Sequence, residues 1–152
     1  MDTGKQRYEV EIRRSDDFAA ALALAREAQL EVSEDADEPL ALWGAFDGER
    51  LVGIVTLAKD GGIPLVEWIA VRDGYRGRGV ASRLLAVAED EARRRGETAL
   101  WATARAPAFF IAAGYEVVAV GEERAHLLAH CRDCPQRDMT CRPEAVRKGL
   151  GP

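Results

Sequence analysis

The chain has no apolar run approaching the ~20 residues that a membrane-spanning helix needs, so no membrane span is expected. Its start, Met1-Asp2-Thr3-Gly4-Lys5, lacks the apolar core of a signal peptide, and a cytoplasmic protein is the expectation. An excess of positive charge is missing too. Lysine and arginine total 21 against 26 acidic residues, a net charge of −5. A general nucleic-acid or membrane surface needs a broad basic face, so neither partner is expected. Cysteine is scarce: Cys131, Cys134 and Cys141 are the only three. That pattern fits a metal site or free thiols better than a disulfide framework. No internal repeat, low-complexity tract or linker divides the 152 residues. One domain over 1–152 with a sizeable core is expected, 124–152 forming a cysteine-containing C-terminal extension. Two common phosphate-binding loops are absent as well. Gly77-Arg78-Gly79 lacks the third glycine of a dinucleotide fingerprint, and no Gly-Lys-Ser/Thr follows it.

What is present centres on residues 64–96. Pro64 to Val71 is a short apolar run rich in β-branched and aromatic residues, the pattern of a strand. Val80, Leu84, Val87 and Ala88 recur at helical spacing, with Glu89, Asp90, Arg93 and Arg94 read as the polar side. Gly96 is placed to end that helix. Between strand and helix lie Gly74, Gly77 and Gly79 with Arg72, Arg76 and Arg78. A glycine-rich backbone entering a helix directs free N–H groups outward at the positive end of the helix dipole, which makes an anion site. In a net-acidic chain these arginines are a local exception and favour a small anionic ligand.

Around this stretch, Tyr8, Val10 and Ile12 alternate with charged residues and read as a first strand. Ser15-Asp16-Asp17 offers a cap for a helix striped by Phe18, Ala21, Leu22, Ala25 and Ala28. Residues 31–39 are acidic and end in Pro39. They read either as a solvated loop or as a segment near a substrate entrance that attracts a cationic amine. Leu40–Phe46 and Leu51–Ala58 flank the hairpin signal Asp47-Gly48. Thr98–Thr103 is a strand expected to run parallel to Leu65–Val71 across the intervening helix. Ala106–Ala113 reads as a short helix and Tyr115–Val120 as a further strand. The order β-α-β-β-β-α-β-α-β is mixed α/β, a mixed sheet with an antiparallel first half.

At Arg76-Gly77-Arg78-Gly79-Val80-Ala81 the sequence resembles the GNAT superfamily of N-acetyltransferases, whose signature is Gln/Arg-x-x-Gly-x-Gly/Ala between a strand and a helix. Arg76, Gly79 and Ala81 match it. Ile69-Ala70-Val71 before the loop, Leu84-Leu85 after it, and Phe109-Phe110 with Gly114-Tyr115 further on extend the likeness over roughly residues 7–120. The resemblance implies a central sheet splayed between strands four and five, acetyl-CoA as cosubstrate and a small-molecule amine as acceptor. A homodimer is the family-level expectation. It assigns the pyrophosphate to backbone of Gly77, Arg78, Gly79, Val80, Ala81 and Ser82, aided by the Arg76 and Arg78 side chains. The pantetheine arm falls to backbone of Ile69, Ala70 and Val71. The Phe109-Phe110 pair looks like the subset related to amino-acid N-acetyltransferases, making an amino acid one candidate acceptor. Arg105 and Arg124 are candidates to pair with its carboxylate.

Acyl transfer to a primary amine needs a base, because such an amine is mostly protonated at neutral pH. Glu67 is the candidate, since a carboxylate within an apolar strand is not cheaply buried without a task or partner. The alternative is that it faces solvent or pairs with an arginine. Many family members carry a tyrosine four residues before the glycine of the Gly-aromatic pair, to protonate the departing thiolate. Here that position is Phe110. Tyr75 and Tyr115 are substitutes by residue type, and bulk water is another proton source.

In the tail, Cys131-x-x-Cys134 suits a zinc knuckle, with Cys141 as third ligand and His130 or His126 as fourth. Three reduced thiols without metal are the alternative. Residues 124–131 read either as a helix, with His126 and His130 one turn apart, or as a strand, which the resemblance favours because the family fold usually ends in one; Pro143–Arg147 reads as a short terminal helix.

Overall fold

The structure, a computed structural model, describes residues 10–28, 30, 38–104, 107–129 and 144–151. In chain order the elements are β1 (Glu11–Arg14), α1 (Phe18–Glu27), β2 (Ala41–Asp47), β3 (Arg50–Asp60) and β4 (Ile63–Val71). There follow α2 (Val80–Arg94), β5 (Ala99–Ala104), α3 (Pro107–Ala112), β6 (Glu116–Val117), α4 (Glu122–Leu128) and β7 (Glu144–Gly149). The strands form one mixed sheet in the order β1-β2-β3-β4-β5-β7-β6. β4 and β5 pair in parallel, as the helix between them requires, with Leu65 opposite Trp101 and Val66 opposite Ala102. The chain divides into two compact units, Met1–Ala58 with Glu67–Glu91, and Lys59–Val66 with Ala92–Pro152.

In the first unit, α1 is started by the cap that its sequence offers. The Asp17 side chain accepts from the Ala20 N–H at 3.1 Å, and Ser15 Oγ accepts from the Asp17 N–H. Ala21, Leu24 and Ala25 of α1 pack on Leu42, Ile54, Trp68 and Ala70, one residue or pair from each of β2, β3 and β4. Phe18 stacks on Trp68 with ring centroids 5.9 Å apart. Thr56 is fully buried, and its hydroxyl accepts the Trp68 N–H at 3.0 Å, so the buried oxygen is satisfied. Gly53 is a glycine for lack of room. A Cβ there would lie 3.2 Å from both the Ala70 carbonyl oxygen and Leu84 Cδ1. Its missing side chain lets α2 close on the sheet.

Helix α2 buries Val80, Leu84, Leu85, Ala88 and Ala92, and also Glu89, which is only 7% exposed. This corrects the polar placement of Glu89. It lies four residues after Leu85 and three before Ala92, hence on the same face. Gly96 ends the helix as expected, at φ +84°, its N–H donating to the Arg93 carbonyl.

The second unit departs from expectation in the tail. Residues 122–128 are helical, not a strand. Gly121 at φ +127° breaks the preceding chain, and Glu122 and Glu123 complement the positive end of the new helix. The closing strand is instead β7, where a terminal helix is expected. It pairs antiparallel with β5 along its whole length, Ala99 opposite Gly149 through Ala104 opposite Glu144, and with Ala145 and Val146 fully buried. Sheet pairing and burial here outweigh the helical reading of Pro143–Arg147, because local propensity is the weaker term. β6 pairs on β7 over only Glu116 and Val117. α4 is tied to the β3–β4 turn by His126 Nε2 and Asp60 Oδ1, 2.9 Å apart.

Candidate active site

The glycine-arginine loop lies within the first unit and begins where β4 ends. Trp68, Ala70 and Val71 are buried, Ile69 is half-buried and Glu67 is exposed. Beyond Val71 the chain is held by Arg72. Its backbone N–H donates to the Val52 carbonyl at 2.7 Å, its Nε donates to the Leu51 carbonyl at 2.9 Å, and its guanidinium pairs with Glu27 on α1. Tyr75 closes a turn through its N–H to the Arg72 carbonyl, 3.1 Å. The Tyr75 hydroxyl donates to the Asp47 carboxylate at the β2–β3 hairpin, and Arg78 sits 5.9 Å over the Tyr75 ring. That hydrogen bond holds the Tyr75 pKa above its ordinary value, with loss of hydration and the Asp47 charge acting in the same direction. Arg76 Nε caps the Val71 carbonyl at 2.8 Å, and its guanidinium is 3.0 Å from Asp73.

Gly77 and Gly79 adopt φ +76° and +79°, a region L side chains avoid. A Cβ at either would meet nothing within 4 Å. Backbone conformation, not crowding, requires glycine, and the space above the loop is open. The first bond into α2 runs from the Arg83 N–H to the Gly79 carbonyl, 3.1 Å. The N–H groups of Val80, Ala81 and Ser82 therefore have no acceptor within the helix. They are grouped at its positive end. The exposed Arg76 and Arg78 guanidinium groups belong to the same loop. Such a surface binds phosphate oxygens by geometry and charge together.

The other anticipated residues fare differently. Because Glu67 is exposed, the burial argument for it as a base does not apply; a basic role rests on its position alone. Phe110 is buried, edge-on to Phe109 at 5.2 Å and to Tyr115 at 5.3 Å. Tyr115 is buried with it, while the Tyr75 hydroxyl is committed to Asp47. Arg124 is half-buried, with no hydrogen-bond partner for its Nε among the described residues. Arg105, His130, Cys131, Cys134, Cys141 and the acidic residues 31–37 lie outside the described residues. Among the described residues, no three His, Cys, Asp or Glu side chains are grouped to hold a metal ion. His126, the alternative zinc ligand, pairs with Asp60. Sequence reasoning missed the two ties that fix the loop, Tyr75 to Asp47 and Arg72 to Glu27. The partners lie 28 and 45 residues apart. Only the Asp47-Gly48 turn signal hinted that Asp47 stands at a hairpin tip.

A mixed sheet with a parallel β4–β5 pair, followed at the end of β4 by a glycine-arginine anion cradle, defines an anion-binding α/β protein. The acetyltransferase (GNAT) family model matches residues 8–115, and the chain belongs to that family. No curated protein matches it significantly in sequence. Solved structures share the fold at low identity. N-acetylglutamate synthase from Neisseria gonorrhoeae, complexed with coenzyme A and N-acetyl-glutamate, is 20% identical at a TM-score of 0.71, covering 94% of this chain but 35% of that one. A Bacillus subtilis acetyltransferase in complex with CoA is 15% identical, TM-score 0.70, covering 93% and 99%. The ribosomal-protein-S18-alanine N-acetyltransferase of Escherichia coli is 16% identical, TM-score 0.67, covering 94% and 95%.

Proposed function

We propose that the protein transfers the acetyl group of acetyl-CoA to the primary amine of a small molecule, with amino acids the acceptors to test first. The observation that carries this reading is the cradle at Gly77–Ser82. Its N–H groups and flanking arginines suit a pyrophosphate, and the open space over Gly77 and Gly79 admits one. Two of the similar structures hold coenzyme A, which supports the same reading. In this reading the pantetheine amides pair with backbone of Ile69, Ala70 and Val71 at the C-terminal end of β4.

Acetyl-CoA supplies an activated thioester carbonyl when bound. Glu67 takes the proton of the acceptor ammonium, directly or through water, leaving the neutral amine that attacks. Phe110 cannot return a proton to the thiolate, so solvent serves that step in this reading. The tail adds one further element. Cys131, Cys134, Cys141 and His130 have ligand types and spacing that suit a structural zinc, which would staple 130–141 without an open position for catalysis.

The test is release of free CoA from acetyl-CoA, read by a thiol reagent across an amine panel, beside calorimetric CoA binding. Turnover with at least one amine is expected. CoA binding without turnover on any amine would instead identify a non-catalytic acyl-CoA sensor, the reading that Phe110 keeps in play. Metal analysis of protein purified without chelator tests the tail; absence of stoichiometric zinc sinks that assignment.

A further inference from the structure

Two carboxylates, Glu27 and Asp73, line one cavity of about 220 Å3 in the first unit, and both pair with arginines at the head of the glycine-arginine loop. Their partners set them apart. Asp73 lies three residues before Arg76, 3.0 Å from its guanidinium, and its side chain is 92% exposed. That pair ties the loop to nothing outside itself. Glu27 is the last residue of α1, and it reaches Arg72 across 45 positions of chain. Arg72 is the first residue beyond β4, with only 28% of its side chain exposed. Its N–H donates to the Val52 carbonyl and its Nε to the Leu51 carbonyl, so this one residue joins β3, α1 and the loop. The first turn of the loop starts from it as well, since the Tyr75 N–H donates to the Arg72 carbonyl. A planar guanidinium is oriented by contacts at two of its nitrogens. Without Glu27, the Leu51 carbonyl would be the remaining one of the two described here.

We propose that Glu27 is a positioning residue for the anion cradle: acting through Arg72, it fixes the head of the loop and strengthens anion binding although its own charge opposes it. Asp73 carries the same charge beside the same loop but positions nothing beyond it, and it competes with the anion for Arg76. The inference rests on the proposed function for the identity of the anion, CoA, and not for the tie itself. Charge and position predict opposite signs at Glu27. Replacing a carboxylate near an anion site by its neutral amide lowers the repulsion, so charge alone predicts tighter binding. Loosening the head of the loop displaces Arg76 and the N–H groups that follow it, so position predicts weaker binding. At Asp73 only the charge effect operates.

The experiment has two arms, each run on the full chain as wild type, Glu27→Gln, Glu27→Asp and Asp73→Asn. Glu27 and Asp73 are exposed, so the variants should fold; thermal melts check this. The first arm needs no ligand and follows amide hydrogen exchange by NMR. In Glu27→Gln the Arg72 and Tyr75 amides should exchange about twofold to fivefold faster, the size of a partly exposed ion pair. Glu27→Asp should recover part of that protection, and Asp73→Asn should leave both amides as in wild type. The second arm titrates CoA by calorimetry. Glu27→Gln should bind CoA about twofold to fivefold more weakly despite the lost negative charge. Asp73→Asn should bind it as tightly as wild type or more tightly. Unchanged exchange in Glu27→Gln, CoA binding in that variant as tight as wild type or tighter, or equal weakening in Asp73→Asn overturns the positioning role. A wild type that binds no CoA defeats the proposed function instead, and the exchange arm still decides whether Glu27 holds the loop.

Discussion

Gly53→Ala tests whether the packing of α2 on the sheet sets the shape of the phosphate cradle. The new Cβ would stand 3.2 Å from the Ala70 carbonyl oxygen, 3.2 Å from Leu84 Cδ1 and 3.4 Å from the Ala45 Cβ. None of these can yield easily. Ala70 O is strand backbone, Ala45 belongs to the neighbouring strand, and Leu84 is fully buried. Overpacking of a tight core costs about 1–3 kcal/mol. Alanine returns about 0.4–1 kcal/mol by narrowing the unfolded ensemble. The net expectation is a loss of about 1–2 kcal/mol, hence a Tm lower by about 3–6 °C for a chain of this size. Since Leu84 sits one turn into α2, displacement there moves the N–H groups of Val80, Ala81 and Ser82, and CoA affinity should fall with stability. Gly79→Ala is the contrast. Its Cβ would enter open space, so only the left-handed backbone at φ +79° opposes it, about 1–2 kcal/mol. Its loss should appear in CoA affinity more than in Tm, because the strain is relieved by deforming the loop itself. Urea denaturation and calorimetry on both variants decide the matter. A Gly53→Ala protein as stable as wild type with unchanged CoA affinity would refute the packing argument.

Glu67→Gln should lower kcat by about 10²–10⁴ and leave the Kd for CoA unchanged, the range for loss of a general base; full turnover would assign the base elsewhere. Phe110→Tyr puts a hydroxyl into a buried aromatic cage at a cost of about 1–3 kcal/mol, seen as a lower denaturation midpoint. A gain in stability would mean that the cage already offers a partner. Tyr75 should ionise above the ordinary tyrosine value of ~10, visible in a tyrosinate absorbance titration, and Asp47→Asn should bring it back down. The sign follows from linkage. A raised native pKa stabilises the protein fully below the unfolded value, and the contribution disappears as pH rises through the native one. The loop tie to Asp47 therefore persists into alkaline solution, and a Tyr75 that titrates normally would remove it from the account.

How much of this was legible depended on how local the cause was. Asp17 caps α1 through a hydrogen bond to Ala20 only three residues away, so the sequence carried the signal whole. Gly77 and Gly79 sit in a conformation that glycine alone tolerates freely, and the arginines beside them give the cradle its sign. Glu89 misled because its charge outweighed its position; a strict count from Leu85 to Ala92 puts it on the buried face. The tail misled for the opposite reason. Glu144–Gly149 becomes a strand through pairing with β5, far upstream (Ala99 opposite Gly149 through Ala104 opposite Glu144), and no local pattern encodes such a partner. The same distance hid the ties at Tyr75 and Arg72. A functional loop can thus be read from its own residues while the forces that hold it still cannot. In this chain those forces come from a hairpin tip and a helix end. That arrangement predicts that damage at Asp47 or Glu27, neither in the signature, will be felt first as weaker CoA binding.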